Sequence, residues 1–483
     1  MSRVIEGVDL GFTFLPERLK TKGYATHHVG KWHQGVADFR YSPTARGFDT
    51  TLGFFGGQED HFTQQQTPIT GDCGAGIPIY DIWENGQPAR QLAGKSSSDR
   101  LWSQRAVEII NNHATQNSKK PAGTGSPLFL YVAFNTPHSP LQAEQKYLDL
   151  YPDISYQLEK TFYAMVSTQD DAVADIVTAL KSTGLWDNTV FVWQGDNGGV
   201  VGPQPGGVAG IPSGPGGLLW ENWRGGKGSN FEGGIRVPTL VNGGLLPNSQ
   251  RGKSLRGIGH ISDWYATFLT LAGIDPTDYN HYSPSPIDSI NIWPWISGQV
   301  AVSPRTTAVF DHNFLPNQGP PAFGAIRKNN YKLLVGPQSL ASWYGGPENN
   351  YFSPNQSVPQ PDQSVTACSY TNPCLFDLSI DPTEHNDISA AYPSITAELL
   401  KDFQSYDSAY HIPNTFPTLD GKAYCAQLQH NGYVVAPYLN SVDQIIYAPT
   451  SSPTNIPTTP KPTEKDEYSS PSEKRYTDNS NHQ

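Results

Sequence analysis

The sequence is poor in charged residues, in cysteine and in long apolar runs. Charged residues make up 16% of its 483 residues, and the formal net charge is -12. No block of Lys or Arg is long enough to follow a phosphate backbone, which argues against nucleic acid as a partner. No apolar stretch approaches the roughly 20 residues that a membrane helix needs, so we expect no membrane span. An anionic substrate must therefore be met by a few local positive groups.

The few cysteines limit the kinds of site that the chain can hold. There are four of them and no C-x-x-C pair, which argues against a structural zinc or a thioredoxin-type site. Cys368 and Cys374 enclose a short loop, which is either closed by a disulfide in an oxidising compartment or flanked by two free buried thiols. Residues 1–7 lack the apolar core of a signal peptide. Asn355 begins an N-x-S glycosylation pattern, which favours a secreted protein.

Glycine, proline and aromatic residues are plentiful instead. The chain has 46 Gly and 41 Pro, and 11% of its residues are aromatic. This composition is typical of a loop-rich globular protein whose core depends on aromatic side chains. The length indicates more than one domain. We expect an α/β domain at 1–300, a small α+β domain at 301–447 and a disordered tail rich in Pro, Thr and Ser at 448–483.

Three apolar segments indicate buried parallel strands of an α/β sheet. They cover 24–33, 127–134 and 189–194, and each ends in a polar turn. Helical patterns lie between them at 101–112 and around 173–180. This alternation predicts a largely parallel central sheet flanked by helices. Ligands bind beyond the carboxyl ends of such strands, and five polar residues lie there: Lys31, His33, His138, Asp196 and Asn197.

The second domain is predicted from shorter strand patterns. They cover 306–310, 324–327, 331–335 and 375–378, and a tight turn joins the second and third. A helix at 394–406 is expected to cover them. The pattern predicts a small α+β domain with an antiparallel sheet.

The G-K-W-H segment at 30–33 places a cation close to a histidine. In an extended segment alternate side chains share a face, so Lys31 and His33 should point the same way and Trp32 the other. The pair either presents a cation and a proton-transfer group to one pocket, or consists of a solvent-facing lysine and a histidine bonded to a loop carbonyl.

Further polar residues follow the other two strands. His138 lies between Pro137 and Pro140, whose fixed φ angles stiffen the loop in a way that suits a general acid. A histidine between prolines is also common in turns without a function. Asp196 and Asn197 offer two adjacent oxygen donors that suit a hard cation such as calcium, although the same residues form an ordinary turn.

Lys227 lies in the glycine-rich stretch 224–238. Glycine allows the backbone to approach a ligand closely. Neither G-x-G-x-x-G nor G-x-x-x-x-G-K-[ST] is present, so the stretch does not predict a nucleotide site.

Taken together and in this order, these segments resemble the sulfatase family, and most closely its arylsulfatase B type, also called N-acetylgalactosamine 4-sulfatase. The likeness spans about residues 10–400. It implies an alkaline phosphatase-like fold, a sulfuric ester hydrolase acting on sulfated sugars or aryl sulfates, one calcium ion, and a secreted or lysosomal location. The segments that carry it are G-Y-A-T-H-H-V-G-K-W-H at 23–33, R-G-F-D-T-T-L-G-F at 46–54, T-P-H-S-P-L-Q at 136–142, D-N-G-G at 196–199 and R-G-G-K-G-S-N-F-E-G-G-I-R-V-P at 224–238.

The resemblance also implies a role for each candidate residue. Lys31 and Lys227 would hold sulfate oxygens, and His138 with Lys227 would protonate the leaving alcohol. His33 would act as the base that collapses the sulfated hydrate. The predicted calcium ligands are Asp196 and Asn197. Positive charge placed around the equatorial oxygens is also what sulfate transfer needs on physical grounds.

The family's nucleophile motif is missing from the sequence. That nucleophile is a formylglycine made from the cysteine of C-x-P-x-R ahead of G-K-W-H, but the first cysteine here is Cys73 and none of the four fits the pattern. The family's acidic metal pair is missing too, because Asp9 has no acidic neighbour. We expect an amino-terminally truncated form of a longer enzyme. The alternatives are a non-catalytic module that holds sulfated glycans, and a phosphoryl or phosphonate hydrolase of the same superfamily with two transition metals.

Overall fold

The structure of the chain is a computed structural model that describes residues 7–8, 10–36, 38–66, 77–155, 157–199, 223–277, 287–313, 323–338, 368–406, 421–435 and 437. Met1–Asn440 form one compact unit, and the second unit, Ser441–Gln483, contains no described residue. The predicted domain boundary near residue 300 therefore stays a prediction. Four features of the sequence fall outside the described residues: Asp9, Cys73, the glycosylation pattern at Asn355 and the tail beyond Ala448.

A five-stranded sheet forms the first part of the chain. Its order is β4-β3-β2-β1-β5, with β1 (Ala25–Lys31), β2 (Thr50–Phe54), β3 (Trp83–Glu84), β4 (Gln87–Pro88) and β5 (Leu128–Ala133). The central strand β1 pairs in parallel with β2 and β5, whereas β2–β3 and β3–β4 are antiparallel. The prediction of a largely parallel central sheet is confirmed.

Close contact between backbones explains the glycines of the central strands. Gly30 has a φ of +99°, and a Cβ atom there would overlap the carbonyl oxygen of Ala133 on β5. A Cβ atom at Gly53 on β2 would overlap the carbonyl oxygen of Gly30. Only glycine fits at both positions, so β1 is held tightly on both sides up to Lys31.

Two long helices, α2 (Ser98–Asn117) and α4 (Gln157–Ser182), cover one face of this sheet. Ala106 and Ile110 of α2 pack with Ile176 and Leu180 of α4, and β5 contributes three side chains to the same cluster, with Phe134 added just after the strand: Leu128, Leu130 and Val132. α4 begins well before the predicted 173–180 segment. Its first half buries two threonines, one alanine and one methionine, a set that an apolar periodicity does not detect: Thr161, Ala164, Met165 and Thr168.

The opposite face is covered by α1 (Leu15–Lys20) and α6 (Asp263–Leu271). Leu19 and Leu269 are buried together there, with Phe129 of β5 packed against them. The prediction that 189–194 forms a parallel strand of the central sheet is wrong, because β6 (Phe191–Gln194) pairs antiparallel with β7 (Thr239–Asn242) in a separate two-stranded sheet. Its position is fixed by two contacts: Phe191 packs on the α2–α4 cluster, and the Oε1 atom of Gln194 accepts a 2.8 Å hydrogen bond from Trp264 Nε1 on α6.

The predicted C-terminal antiparallel sheet is also confirmed. Its order is β11-β10-β9-β8, with β8 (Thr307–Asn313), β9 (Phe323–Lys328), β10 (Tyr331–Val335) and β11 (Cys374–Asp377). The helix α8 (Pro393–Ser405) covers one face through Leu399 and Phe403, and Phe231 packs on the other face. Four short helices complete the fold: α3 (Gln145–Leu148), α5 (Glu232–Ile235), α7 (Trp293–Ile296) and α9 (Gly421–His430).

The described residues also show the state of three cysteines. Cys368 and Cys374 form a disulfide with a Cα–Cα distance of 5.3 Å, so the free-thiol alternative is wrong. Cys425 is disulfide-bonded as well. None of the described helices is long and apolar enough to cross a membrane.

Candidate functional site

The backbone around Lys31 is fixed by two buried aromatic residues. Trp32 is buried, and its Nε1 atom donates a 2.7 Å hydrogen bond to the carbonyl of Tyr41. His28 is fully buried, and burial lowers its pKa to about 4. The neutral ring therefore donates from Nε2 to the Lys31 carbonyl, at 3.1 Å, and accepts at Nδ1 from the hydroxyl of Thr51, at 3.0 Å. These contacts hold the carboxyl end of β1 at the site.

The alternation argument placed His33 on the strand, but in the structure His33 lies beyond the end of the strand. β1 ends at Lys31, and His33 has a φ of +50°, in the left-handed region. Its amide donates a 3.1 Å hydrogen bond to the Phe55 carbonyl. Its ring lies against Gly57, where an added Cβ atom would be 2.8 Å from the Cε1 atom of His33. His33 therefore reaches the site through a turn, and the strand-face argument for it was wrong.

His138 follows β5 in a loop that is held from several directions. Its amide donates to the carbonyl of Asn135 at 2.8 Å, and its carbonyl oxygen lies 2.9 Å from Nε2 of His61. The Nδ1 atom of His138 lies 2.8 Å from the Ser139 carbonyl, so Nδ1 carries a hydrogen and donates it. The other ring nitrogen, Nε2, is left to exchange protons at the site.

A buried polar network lies behind this loop. Asp99 accepts hydrogen bonds from the amides of Asn135, at 3.0 Å, and Thr136, at 3.4 Å. Glu59 accepts from the side chain of Asn135 at 2.8 Å. The Nδ1 atom of His61 lies 3.9 Å from an Asp99 oxygen. Burial raises the pKa of Asp99, with His61 opposing the shift, and burial raises that of Glu59 well above its usual range.

Sequence reasoning missed the role of this network. Glu59 is 1% exposed and His61 is 2% exposed, and neither was among the predicted site residues. Their side chains hold the His138 loop and do not face solvent. A short polar run has no periodicity, so nothing in the sequence signalled that it would be buried.

The D-N-G-G turn and the Lys227 loop are joined by backbone hydrogen bonds. The amide of Lys227 donates to the Gly199 carbonyl at 2.8 Å, and the amide of Gly198 donates to the Gly234 carbonyl at 2.9 Å. A Cβ atom at Gly198 would overlap the carbonyl oxygen of Gly233. These contacts bring Lys227 beside Asp196, although the two residues are far apart in the sequence.

The predicted site residues lie close enough for their charges to act on one another. Burial lowers the pKa of Lys31, Lys227 lowers it further, and Asp196 opposes the shift. Burial lowers the pKa of His138 to about 4, the Ser139 carbonyl opposes this, and both lysines add to the lowering. The pKa of His33 is lowered by burial and then by the same two lysines. These pKa shifts link five of the six predicted residues, Lys31, His33, His138, Asp196 and Lys227, and the sixth, Asn197, follows Asp196 in the same exposed turn.

The predicted calcium ligands are Asp196 and Asn197, and calcium needs further oxygen donors beside them. Asp196 and Asn197 are exposed in the turn after β6. One Asp196 oxygen accepts a 2.9 Å hydrogen bond from the Asn197 amide, and Asn197 Nδ2 donates to the Gly198 carbonyl at 2.7 Å. Calcium takes about 6 to 8 oxygen ligands. In the part of the chain that the structure describes, no group of three or more His, Cys, Asp or Glu could hold a metal ion, so these residues do not make a complete calcium site.

Several known sulfatases are similar to this chain in sequence. The family model "Sulfatase" matches residues 1–274. Mouse arylsulfatase J is 33% identical over 427 residues, which are 85% of this chain and 64% of that protein. Mouse N-acetylgalactosamine-6-sulfatase is 27% identical, over 80% of this chain and 66% of that protein. Human arylsulfatase A is 25% identical, over 82% and 70%. These relatives do not single out the arylsulfatase B type that the sequence suggested.

Solved structures agree on the fold. The crystal structure of Ps i-CgsB has a TM-score of 0.63 at 24% identity, over 89% of this chain and 80% of that one. The PsFucS1 sulfatase from Pseudoalteromonas sp. has a TM-score of 0.56 at 20% identity, over 82% and 72%. The chain spans just under two thirds of the length of the first two curated relatives. Because the family model matches more than half of the sequence, the chain belongs to the sulfatase family.

Proposed function

We propose that this chain binds and helps to cleave sulfuric esters, with a sulfated sugar or an aryl sulfate as substrate. One observation carries the proposal: the ammonium groups of Lys31 and Lys227 act on each other and on His138 at the ends of the strands. The charge of Lys227 lowers the pKa of Lys31, so these two half-buried cations repel each other in the free protein. A bound anion about the size of sulfate would offset that repulsion.

Each residue has a distinct role in this proposal. Lys31 and Lys227 bind sulfate oxygens, where negative charge develops during transfer. His138 and Lys227 hold the proton that the leaving alcohol needs. His33 takes a proton from the hydroxyl group that must collapse to release sulfate.

The low pKa of His138 makes its acid role depend on the substrate. With a pKa of about 4, the ring is neutral near pH 7 and has no proton at Nε2 to give. An anion bound between the lysines removes their repulsion of an imidazolium ion and adds an attraction. Substrate binding would therefore raise the pKa of His138, so that the ring carries the proton that the leaving alcohol needs.

No C-x-P-x-R occurs in this sequence, so the family's nucleophile has no candidate among its residues. We derive no step through it. The truncation hypothesis predicts an in-frame C-x-P-x-R upstream of Met1 in genomic sequence. A stop codon directly before Met1 in matched transcripts would favour the alternative, a non-catalytic module that holds sulfated glycans. The missing motif is the observation that supports this alternative.

Anion binding can be tested on the chain itself. Titration calorimetry with inorganic sulfate should show binding, and Lys31→Ala and Lys227→Ala should each weaken it by about tenfold or more, because a charge-assisted hydrogen bond is lost. Lys328→Ala is the matched control, since Lys328 pairs with Glu398 and Asp402 in the C-terminal sheet region. No sulfate binding, or equal loss in the control, would refute the site.

Turnover can be tested in a longer protein that carries the nucleophile segment. Lys227→Ala and His138→Ala should each reduce turnover of 4-nitrocatechol sulfate by about 10² or more. Unchanged turnover in both would contradict the assigned roles. Two zinc ions per chain by metal analysis would instead favour the phosphoryl or phosphonate hydrolase alternative.

Two parts of the earlier prediction remain proposals. Calcium is proposed to use Asp196 and Asn197 together with ligands outside the described residues, and a calcium-dependent rise in melting temperature that Asp196→Ala abolishes would support it. A secreted or lysosomal location is proposed as well, and glycosylation at Asn355 in a secretory expression host would support it.

A further inference from the structure

We propose that Glu384 and Lys332, which belong to the C-terminal part of the chain, are positioning residues for Lys227. The inference rests on the proposed function, in which Lys227 binds the sulfate group. It extends that function, because it gives residues of the C-terminal sheet region a role in positioning one residue of the anion site.

Glu384 holds both ends of the loop that carries Lys227. Its carbonyl oxygen accepts a 3.0 Å hydrogen bond from a guanidinium nitrogen of Arg224. Its carboxylate accepts a 2.7 Å hydrogen bond from the amide of Glu232. Lys227 lies between these two anchors, so the position of its backbone depends on Glu384.

Lys332 supplies the opposite charge for this contact. Its ammonium nitrogen lies 2.8 Å from a Glu384 oxygen and 3.1 Å from a Glu232 oxygen. All three side chains are almost completely buried, with Lys332 and Glu384 at 0% exposure and Glu232 at 2%. An isolated buried charge is very costly, so this arrangement holds only while loop and sheet stay docked.

The apolar surroundings fix the same docking geometry. Phe231, next to Glu232 in the loop, is fully buried against Leu334 and Phe376 of the sheet. Asn230 donates a 3.0 Å hydrogen bond to Gln338 just after β10. The loop therefore meets the sheet through one aromatic anchor, one amide contact and the buried ion cluster.

The backbone of Glu384 also indicates a specific requirement for its side chain. Its φ is +58°, in the left-handed region, where glycine is strongly favoured over residues with a Cβ atom. A glycine would relieve the strain but would lose the carboxylate. Strain of this kind persists where surrounding contacts impose it, here the contacts with Lys332 and the Glu232 amide.

Sulfate affinity of the full chain tests the proposal. Glu384→Ala should weaken inorganic sulfate binding by about tenfold, since a displacement of about 1 Å at a positioned group is costly. Glu384→Gln keeps an oxygen acceptor for the Glu232 amide and the same left-handed backbone, so it should restore most of the affinity. The matched control is Asp263→Ala, which removes an equally buried carboxylate that binds Arg305 and the His260 amide. It should lower stability but leave sulfate affinity within about twofold.

A double-mutant cycle separates positioning from general destabilisation. If Glu384 acts through Lys227, Glu384→Ala should have little further effect on sulfate affinity in a Lys227→Ala background. Additive losses, or full affinity in Glu384→Ala alone, would overturn the inference while leaving the proposed function intact. If the unaltered chain binds no sulfate, the proposed function fails. Amide hydrogen exchange of residues 226–231 then decides whether Glu384 positions the loop: faster exchange in Glu384→Ala but not in Asp263→Ala supports it, and equal exchange refutes it.

Discussion

Sulfate binding should raise the pKa of His138 and should therefore strengthen as pH falls. In the free protein burial and two lysines hold this pKa at about 4, so about one ring in a thousand is protonated at pH 7. A unit negative charge about 4 Å away interacts by about 4 kcal/mol at an effective dielectric constant of 20, which equals about three pKa units. A sulfate ion between the lysines should thus bring the pKa of His138 to near 7.

The sign of the pH dependence follows from this shift. Because the bound pKa lies above the free pKa, binding takes up a proton between these two values. Affinity should be highest below about pH 4, fall by about tenfold per pH unit as pH rises toward 7, and level off above the bound pKa of His138. Sulfate remains fully ionised throughout this range, so the ligand itself contributes no slope.

Calorimetry with inorganic sulfate at pH 5, 6 and 7, at constant ionic strength, measures this slope. His138→Gln should remove most of it, and the remainder belongs to His33, whose pKa is lowered by the same lysines. His113→Gln is the matched control, because His113 is a buried histidine on α2 that bonds Asn117. An affinity that stays constant from pH 5 to 7, or a His138 ring resonance whose titration sulfate does not move, would refute the reasoning.

Three stability predictions follow from other contacts, each measured by urea unfolding. Gly198→Ala should cost about 1–3 kcal/mol, because its Cβ atom would overlap the Gly233 carbonyl; an unchanged midpoint would contradict the close approach. Cys368→Ser should cost about 2 kcal/mol, since the Cys374 partner closes a short loop, and a reductant should then have less effect on the variant than on the original chain. The raised pKa of Glu59 means that the folded state binds a proton that the unfolded state has lost, so the stability contributed there falls as pH rises above about 4.5. Glu59→Gln should flatten that loss between pH 5 and 8, and an equal slope in both proteins would show that Glu59 is ionised.

The sequence predicted the fold and the charged centre because both depend on local signals. Apolar runs marked the strands: Lys31 ends β1 and His138 follows β5 of one sheet, as predicted, whereas Asp196 follows β6 of a separate antiparallel pair. Lys227 was identified by its glycine-rich surroundings and by the resemblance to sulfatases. These residues needed no knowledge of long-range contacts beyond the rule that ligands gather at strand ends.

What the sequence could not predict depends on contacts between distant segments. Glu59 and His61 lie in one loop and Asp99 lies in the first turn of α2, and only the fold brings them behind His138. The position of His33 was derived from strand alternation, which fails because its backbone leaves the strand. Burial of a polar residue is set by its partners, so single-residue propensities carry little information about it.

The cationic groups of the site repel one another. Two lysines and two histidines are held together in a chain with little charge, and burial lowers the pKa of Lys31 while Asp196 only partly opposes this. The supporting structure is correspondingly rigid: His28 fixes the backbone of Lys31, the buried carboxylates fix the His138 loop, and the Glu384 contacts fix the Lys227 loop. These supports fix the backbones that carry the cations, so an anion that enters between the ammonium groups would offset their repulsion. Backbone contacts on three separate segments therefore keep the cationic groups positioned for a compact, highly charged anion, whose binding would offset their repulsion.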